Sequence, residues 1–485
     1  MWPAAQEFMF HGEKNMRYVA FLSALTMFGC SSKISQKSIG TAISSPIAVA
    51  AHGGGNYFYV LNGNFSREYR DGSILILDTE GNKMKALSTP RVGQFLKATE
   101  SGNYLLAGFS ADPETGVKSK AKLQIYDTGN PTEPSLVKTF ELDCTPNNAV
   151  ERSNYIALSC LSGSIYAGKL NGANSTLAKV RGSDGFTRRA MHIDAARNLL
   201  YAFVSDVGET SLNDTKQADK YSYGKDYVAV EGANEVPDDF ERSRTLSEQK
   251  TNLKNTYKFL VYDLAAGEAA GFPEKSTKDL EATKEMRYVY FDVLRAGNTG
   301  PKADEKYYRT NFWSAQADPT DPNVFYLSHR GNRDAGVTPD AAGIVKVTVS
   351  GDPRSQNGIV PKTSDHFKFE GFYGYHAGKD LRAYPGEFEY VSINSGAPLL
   401  IFNDYRDNIV FKENYFRIGA VSTFGASSTE PAADHKIEKT DTRNAFSGFA
   451  FTPAGKGITL SFFADTLILL DISSTGVITE GKRIQ

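Results

Sequence analysis

Seven times along this chain, a cluster rich in Gly, Asn, Asp or Pro leads into two short apolar runs separated by a turn. The first copy is "GGGNYFYVLNG" with "GSILILDTEG", the second "ESGNYLLAGFS" with "AKLQIYDTGNP", the third "ERSNYIALSCLSG" with "SIYAGKLNG". The fourth is "DAARNLLYAFVSD" and, after a long insertion, "TYKFLVYDLAAG"; the fifth is "DPTDPNVFYLSHRGN" with "AGIVKVTVSGDP". The sixth is "YPGEFEYVSINSG" with "APLLIFNDYRDN", and the seventh "TPAGKGITLSFFAD" with "TLILLDISSTG". A unit repeated this often restricts the fold to architectures built by repetition.

The runs are rich in Val, Ile, Leu, Tyr and Phe and punctuated by turn formers, which is the pattern of strands. Aromatic residues make up 12% of the chain, and helix-favouring runs are scarce. Many runs are continuously apolar rather than alternating, so both faces of such a strand must be covered. Several units have a strand-like segment before the pair ("PIAVAAH", "GQFLKAT", "FSGFAFT") and another after it ("KMKALST", "SLVKTFEL", "GVITEGK"). Four strands per unit and seven units predict an all-β fold, a β-propeller of seven four-stranded blades over residues 46–485.

The spacing is uneven. Asn56, Asn103, Asn154 and Asn198 mark equivalent turns at regular intervals, whereas Asn323 comes far later. The gap holds a polar insertion, about 207–255, and the strand-like "RYVYFDVL" at 287–294, where an eighth blade is the alternative. Within the insertion, "PDDFERSRTLSEQKTNLKN" from Pro237 predicts a helix, with Pro and two Asp in its first turn and a narrow stripe of Phe240, Leu246 and Leu253. It is either docked on a blade edge or an arm over one face. The last unit is complete in itself, so Ser38 to Val49 is the candidate strand for closing the ring.

Ahead of the repeats, Tyr18 to Gly29 is an almost wholly apolar run following Arg17. It is too short to span a bilayer and has the form of a secretory signal. Its end, Met27-Phe28-Gly29-Cys30, resembles a bacterial lipobox. The resemblance implies a signal peptide at 16–29, lipidation of Cys30 with diacylglycerol and palmitate, and a polar tether over 30–45 that includes Ser31, Ser32, Lys33 and Ser35. An ordinary signal peptide with an unmodified cysteine is the alternative. Residues 1–15 then read as translated leader ahead of a start at Met16. Ser31 suggests, by resemblance to diderm lipoproteins, outer-membrane sorting in a bacterial cell envelope. Of the three cysteines, Cys144 and Cys160 remain. They flank a turn between two strands, and a disulfide is expected in an oxidising compartment, with two buried thiols as the alternative.

Enzyme signatures are scarce. The sequence contains no His-Glu-x-x-His, no Cys-x-x-Cys and no Gly-x-Ser-x-Gly. A net charge of −2 argues against nucleic acid or an anionic membrane surface as the main partner. "DPTDPN" reads as a tight turn rather than a cation loop. Two clusters are richer in polar and aromatic groups than hairpins need. "SHRGNRDAG" brings His329, Arg330, Asn332, Arg333 and Asp334 between two strands of the fifth unit. "EGFYGYHAGKD" brings Phe372, Tyr373, Tyr375 and His376 ahead of the sixth, and "KYYRTNFW" adds Tyr307, Arg309 and Trp313. Aromatics beside Arg suit protein interfaces and sugar-binding surfaces. Trp313 and Phe372 are expected to be core wedges between blades. Arg309, His329, Arg330, Asn332, Arg333, Asp334, Tyr373, Tyr375 and His376 are candidate ligand- or partner-binding residues.

The seven-unit pattern, most clearly "DPTDPNVFYLSHRGN", resembles the bacterial exported propellers of the surface-layer and phosphogluconolactonase-like group. The resemblance implies a propeller and transfers no catalytic residue. The leading expectation is a lipid-anchored, non-enzymatic scaffold for an envelope protein or polysaccharide, without a cofactor. The rival is a lactonase or other hydrolase acting at the central channel with a single calcium. Inner-strand segments such as "AVAAHGGG", "FLKATES" and "GFAFTPA" are bland, which favours the scaffold.

Overall fold

The computed structural model describes residues 37–65, 68–112, 119–182, 186–205, 257–272, 283–286, 312–330, 342–355, 366–373, 385–404, 415–420, 433–437, 446–462 and 464–485. Their strands form seven four-stranded antiparallel sheets, each with its strands in sequence order. Blade 1 is β1 (Pro46–Ala51), β2 (Tyr57–Asn62), β3 (Gly72–Asp78) and β4 (Lys83–Thr89). Blade 2 is β5 (Gly93–Ala98), β6 (Tyr104–Phe109), β7 (Ala121–Asp127) and β8 (Ser135–Leu142). Blade 3 is β9 (Pro146–Arg152), β10 (Tyr155–Cys160), β11 (Ile165–Lys169) and β12 (Ala178–Arg181). Blade 4 is β13 (Phe186–Asp194), β14 (Leu199–Ser205), β15 (Tyr257–Asp263) and β16 (Thr283–Met286), with the short helix α1 (Leu264–Ala269) after its third strand. Blade 5 is β17 (Phe312–Ala317), β18 (Val324–Arg330), β19 (Ala342–Val349) and β20 (Phe367–Tyr373). Blade 6 is β21 (Pro385–Val391), β22 (Leu399–Asp404), β23 (Tyr415–Ala420) and β24 (Ala433–Lys436). Blade 7 is β25 (Phe446–Phe451), β26 (Lys456–Ser461), β27 (Thr466–Ile472) and β28 (Ile478–Ile484).

First strands of successive blades lie side by side, and β25 returns to β1, so the sheets form a closed ring. The continuous apolar runs are explained by this stacking. Phe58 to Leu61 and Ile74 to Leu77 are wholly buried, because each radial sheet is covered on both faces by its neighbours. One cluster joins Ile47, Tyr59 and Ile76 of blade 1 to Leu96 and Leu105 of blade 2, and the next joins blade 2 to blade 3 through Leu123, Ile156 and Tyr166. Between blades 4 and 5 the buried His192 ring stacks on Phe325 at 4.5 Å. Trp313 is buried in β17, the core position expected of it.

Ring closure differs from expectation. Ser38 to Val49 adds no strand to the last blade. Its strand portion is the start of β1, which pairs with β2 of its own sheet. Closure is instead by packing of faces: Val49, Val60 and Leu75 meet Ile458, Leu467 and Ile484, and the Ser45 N–H donates to the Asp465 carboxylate at 2.5 Å. Apolar area on both sheets replaces the shared strand. The sixth unit was also shifted by one strand. "YPGEFEYV" and "LLIFND" are the first and second strands of blade 6, not its middle pair. Its inner strand carries Phe388 and Tyr390, and Asn394 and Ser395 between the two strands take positive φ, so the segment mimics a mid-blade hairpin.

The ring has two faces. One carries the turns between first and second and between third and fourth strands, here the turn face. The other carries the connections between second and third strands and between blades, here the loop face. Residues following Lys37 are already packed on the propeller. The Asp71 carboxylate, at the loop-face rim of blade 1, accepts from Ser38 Oγ at 2.8 Å, from the Ile39 N–H at 2.9 Å and from Ser88 Oγ at 2.7 Å, and Ile39 is buried. The leader, signal peptide, Cys30, "RYVYFDVL" and almost all of the 207–255 insertion with its expected helix lie outside the described residues.

Candidate functional site

On the turn face the same backbone bond recurs within successive blades. In blades 2 to 5 and blade 7, the carbonyl of the residue just before the second strand accepts an N–H from the last residue of the third strand or the one after it: Asn103 from Thr128 at 2.8 Å, Asn154 from Leu170 at 2.7 Å, Asn198 from Leu264 at 2.8 Å, Asn323 from Val349 at 2.8 Å and Gly455 from Ile472 at 2.7 Å. This is the structural role of the recurring asparagines. Asn154 and Asn198 adopt positive φ, a conformation Asn tolerates better than most residues. Neighbouring turns also touch. The Glu100 N–H donates to the Glu151 carboxylate at 3.1 Å, and Arg197 reaches from blade 4 to Asn323 at 2.8 Å and the Gly351 carbonyl at 3.0 Å.

Between blades 2 and 3 the turn face opens into a cleft of about 540 Å³. Blade 2 contributes Ser101, Asn103 and Tyr104. Blade 3 contributes Glu151, Asn154 and the stretch Lys169 to Asn171, and α1 of blade 4 adds Glu268. Asp263 positions that helix by accepting the Ala266 N–H at 2.9 Å as its N-cap, which satisfies a donor that the helix itself cannot.

Two of these side chains, Lys169 and Glu268, form a fixed polar knot with Tyr155. The Tyr155 hydroxyl donates to Glu268 at 2.7 Å. The Lys169 ammonium lies 3.0 Å from Glu268 and 3.8 Å from the centre of the Tyr155 ring. Burial raises the Tyr155 hydroxyl pKa, and the bond to Glu268 raises it further. The same hydroxyl, then Lys169, lowers the Glu268 carboxyl pKa. Burial opposes the charge on Lys169, but Glu268 and Tyr155 outweigh it and raise the lysine. Each group is thus held in its ordinary state: Tyr155 neutral, Lys169 positive and Glu268 negative. Glu151, one side of the cleft, is raised by burial against the Glu100 and Asn154 N–H groups.

A second polar feature sits in the channel wall. Glu389 on the inner strand β21 accepts the Phe451 N–H of blade 7 at 2.9 Å. Burial pushes its carboxyl up to about 8, and Lys97, from the non-adjacent blade 2, pulls it down. Inner strands of blades 3, 5 and 6 are therefore not bland: they carry Glu151, Arg152, Gln316 and Glu389. Among the described residues no group of three or more His, Cys, Asp and Glu could hold a metal ion.

The three expected binding residues that fall in described strands, His329, Arg330 and Tyr373, lie at neither feature. His329 and Arg330 end β18, opposite Gly343 and Ala342 of β19. Tyr373 ends the outer strand β20 opposite Ile344. All three are at the loop-face end of blade 5. Arg309, Asn332, Arg333, Asp334, Tyr375 and His376 lie outside the described residues. Cys144 and Cys160 are joined in a disulfide with Cα atoms 5.9 Å apart, held by the antiparallel pairing of β9 and β10. "DPTDPN" is the turn expected: Asp318 accepts from the Thr320 N–H at 2.8 Å and Asp321 from the Asn323 N–H at 2.9 Å. The cleft residues were missed, although Asn103 and Asn154 had stood out as repeat markers.

No protein-family model matches the sequence, and no curated protein matches it. Solved structures do match. Hydrazine synthase from Kuenenia stuttgartiensis aligns at TM-score 0.52 and 9% identity, over 92% of this chain and 100% of that one. The periplasmic gluconolactonase PpgL of Pseudomonas aeruginosa aligns at TM-score 0.50 and 11% identity, over 88% of this chain and 95% of that one. At such identities the likeness establishes the fold, an all-β propeller, and nothing finer.

Proposed function

We propose that this chain is a lipid-anchored protein of a bacterial envelope whose propeller serves as a binding scaffold for a protein or polysaccharide partner. The observation that carries the binding role is the electrostatic state of the turn-face cleft. A catalytic acid or base works best with a pKa near the working pH. Tyr155, Lys169 and Glu268 instead drive one another away from it, which suits a rigid recognition surface. The anchor rests on Met27 to Cys30 and fits the docking of Ser38 and Ile39 on Asp71. Seven residue steps from Cys30 to Lys37 reach at most about 25 Å when fully extended. Anchoring would hold the loop-face rim of blade 1 near the bilayer and leave the turn face directed away. The test is replacement of Cys30 by Ser, read by palmitate labelling and membrane fractionation, with crosslinking of partners in the native envelope. Loss of label and of membrane attachment, with defined crosslinked partners to the unaltered chain, is expected. Unchanged fractionation, or no partner, removes the proposal.

Glu389 favours a second reading, a hydrolase at the channel. A carboxyl pushed up to about 8 is near the range useful for proton transfer. Its test is metal content after gel filtration, followed by a lactone and ester screen. One calcium per chain and a rate that depends on Glu389 would install this reading in place of the scaffold.

A further inference from the structure

We infer that the cleft between blades 2 and 3 is a saccharide site that takes two or three units of a neutral glycan. The inference deepens the scaffold reading and rests on it for its biological setting, but its chemistry stands on the cleft alone. The volume of about 540 Å³ falls in the range of small-molecule sites, about 300–1,000 Å³, and exceeds what one sugar ring needs.

Three exposed asparagines line this space: Asn103, Asn154 and Asn171. Their backbones are committed to the fold. Asn103 and Asn154 carbonyls bind the N–H groups of Thr128 and Leu170, and the Asn171 N–H donates to Ser175 Oγ at 2.8 Å. Among the described residues their side-chain amides take part in no hydrogen bond. Asn171 precedes a 3-10 turn at Gly172–Asn174 yet makes no side-chain capping bond. Each amide offers a donor and an acceptor side by side, the pattern that a pair of neighbouring sugar hydroxyls satisfies. Ser101 adds a hydroxyl at the rim.

The charge balance selects among ligands. Lys169 is neutralised by Glu268 at 3.0 Å, so it is not available to an anion. Glu151 is the remaining charged group in the lining, and it is negative when ionised. A phosphate or a uronate would meet no free cation and one carboxylate. A neutral polyol meets amides, a hydroxyl and hydrogen-bond acceptors. Apolar surface for the C–H face of a pyranose comes from the half-buried Tyr104. Gly172, at positive φ, lets the Tyr104 hydroxyl lie close to its backbone, since a Cβ there would stand 3.2 Å from that oxygen.

The wall is also rigid. Tyr155, Lys169 and Glu268 tie blade 3 to α1 of blade 4, and Glu100 with Glu151 ties blade 2 to blade 3. Preorganised polar groups lose little freedom on binding, which a weakly held, strongly hydrated ligand requires.

The test is titration calorimetry on the detergent-solubilised full chain with cellotriose, maltotriose and chitotriose, and with trigalacturonate as the anionic counterpart. At least one neutral trisaccharide should bind with one site per chain, and trigalacturonate should bind at least tenfold more weakly. Asn103→Ala and Asn171→Ala should each weaken the neutral ligand about tenfold with an unchanged melting temperature. Asn56→Ala, in the equivalent turn of blade 1, should leave affinity unchanged. Tighter binding of trigalacturonate, no neutral binding up to millimolar concentration, or affinity indifferent to Asn103 and Asn171 overturns the inference. A crosslinked envelope protein lost on Asn103→Ala and Asn171→Ala, without saccharide binding, overturns it in favour of a protein ligand while the scaffold reading survives. Saccharide binding by a chain that acquires no label at Cys30 supports the inference while removing the envelope anchor.

Discussion

The Tyr201 hydroxyl donates to the buried Asp194 carboxylate at 2.9 Å, and one blade further on Tyr326 repeats the bond to Asp318 at 3.0 Å. In both cases a carboxylate at the start of the strand 1–2 turn is held by a tyrosine three residues into the second strand. Burial works to raise the Asp318 carboxyl, and donors from Thr320, Asp321 and Tyr326 outweigh it and lower its pKa. The turn is therefore built around a charge that needs its donors.

Removing one donor should be costly. Tyr201→Phe keeps the ring, which stacks near Phe325 with centroids 5.7 Å apart, and deletes the bond to Asp194. A hydrogen bond to a charged group contributes about 1.5–3 kcal/mol, so a loss of that size is expected in urea unfolding monitored by tyrosine fluorescence. Tyr326→Phe should cost a similar amount. A change under about 0.5 kcal/mol in both would mean that the carboxylates are satisfied without the tyrosines.

The Cys144–Cys160 bond closes a loop with a sequence separation of 16. A loop of that length stabilises by about 3 kcal/mol in the chain-entropy model. Cys160→Ser should lower the unfolding midpoint accordingly. Alkylation of the unfolded, unreduced chain should label neither Cys144 nor Cys160, and labelling of both would disprove the bond.

Glu389 should set the pH dependence of stability. Its folded pKa, about 8, stands above the ordinary value of 4.5. Between those values the folded chain keeps a proton that the unfolded chain releases, so stability falls as pH rises. Glu389→Gln retains an acceptor for the Phe451 N–H and removes the titration. The variant should match the parent near pH 4 and gain on it progressively up to pH 8. Urea midpoints at pH 5, 6, 7 and 8 measure this, and parallel curves for the two proteins would refute it.

Gly53 and Gly102 bring the turns of blades 1 and 2 into backbone contact. A Cβ on Gly102, at φ +71, would sit 3.1 Å from the Gly53 Cα, where no side chain can move aside. Gly271 has a similar φ of +74 and open space around it. Gly271→Ala should cost only the left-handed strain, about 1–2 kcal/mol, and Gly102→Ala clearly more. Equal melting temperatures for the two variants would show that the blade contact yields.

The architecture was legible because the repeat is local. Each blade is four strands consecutive in sequence, so turn residues and apolar runs such as "NYFYVLNG" and "SILILD" carry nearly all of its pairing. The shift in blade 6 came from an inner strand, "GEFEYV", that looks like a middle one when its neighbours are not in view. The site was far less legible. Asn103, Glu151, Lys169 and Glu268 come from three blades, and no spacing in the chain relates them. Sequence patterning instead directed attention to His329, Arg330 and Tyr373, whose strand ends the ring places on the opposite face.

Sequence alone determined that the chain is all-β and built from repeated hairpins, and it led to the expectations of seven blades and a Cys144–Cys160 bond, because these follow from contacts between residues near one another in the chain. Only the tertiary structure decided how the ring closes and where the polar cleft lies. Both depend on which faces of distant sheets meet. The clasp of Val49 against Leu467 and the ion pair of Lys169 with Glu268 exist because seven sheets of fixed twist return the last blade to the first and set the third beside the fourth.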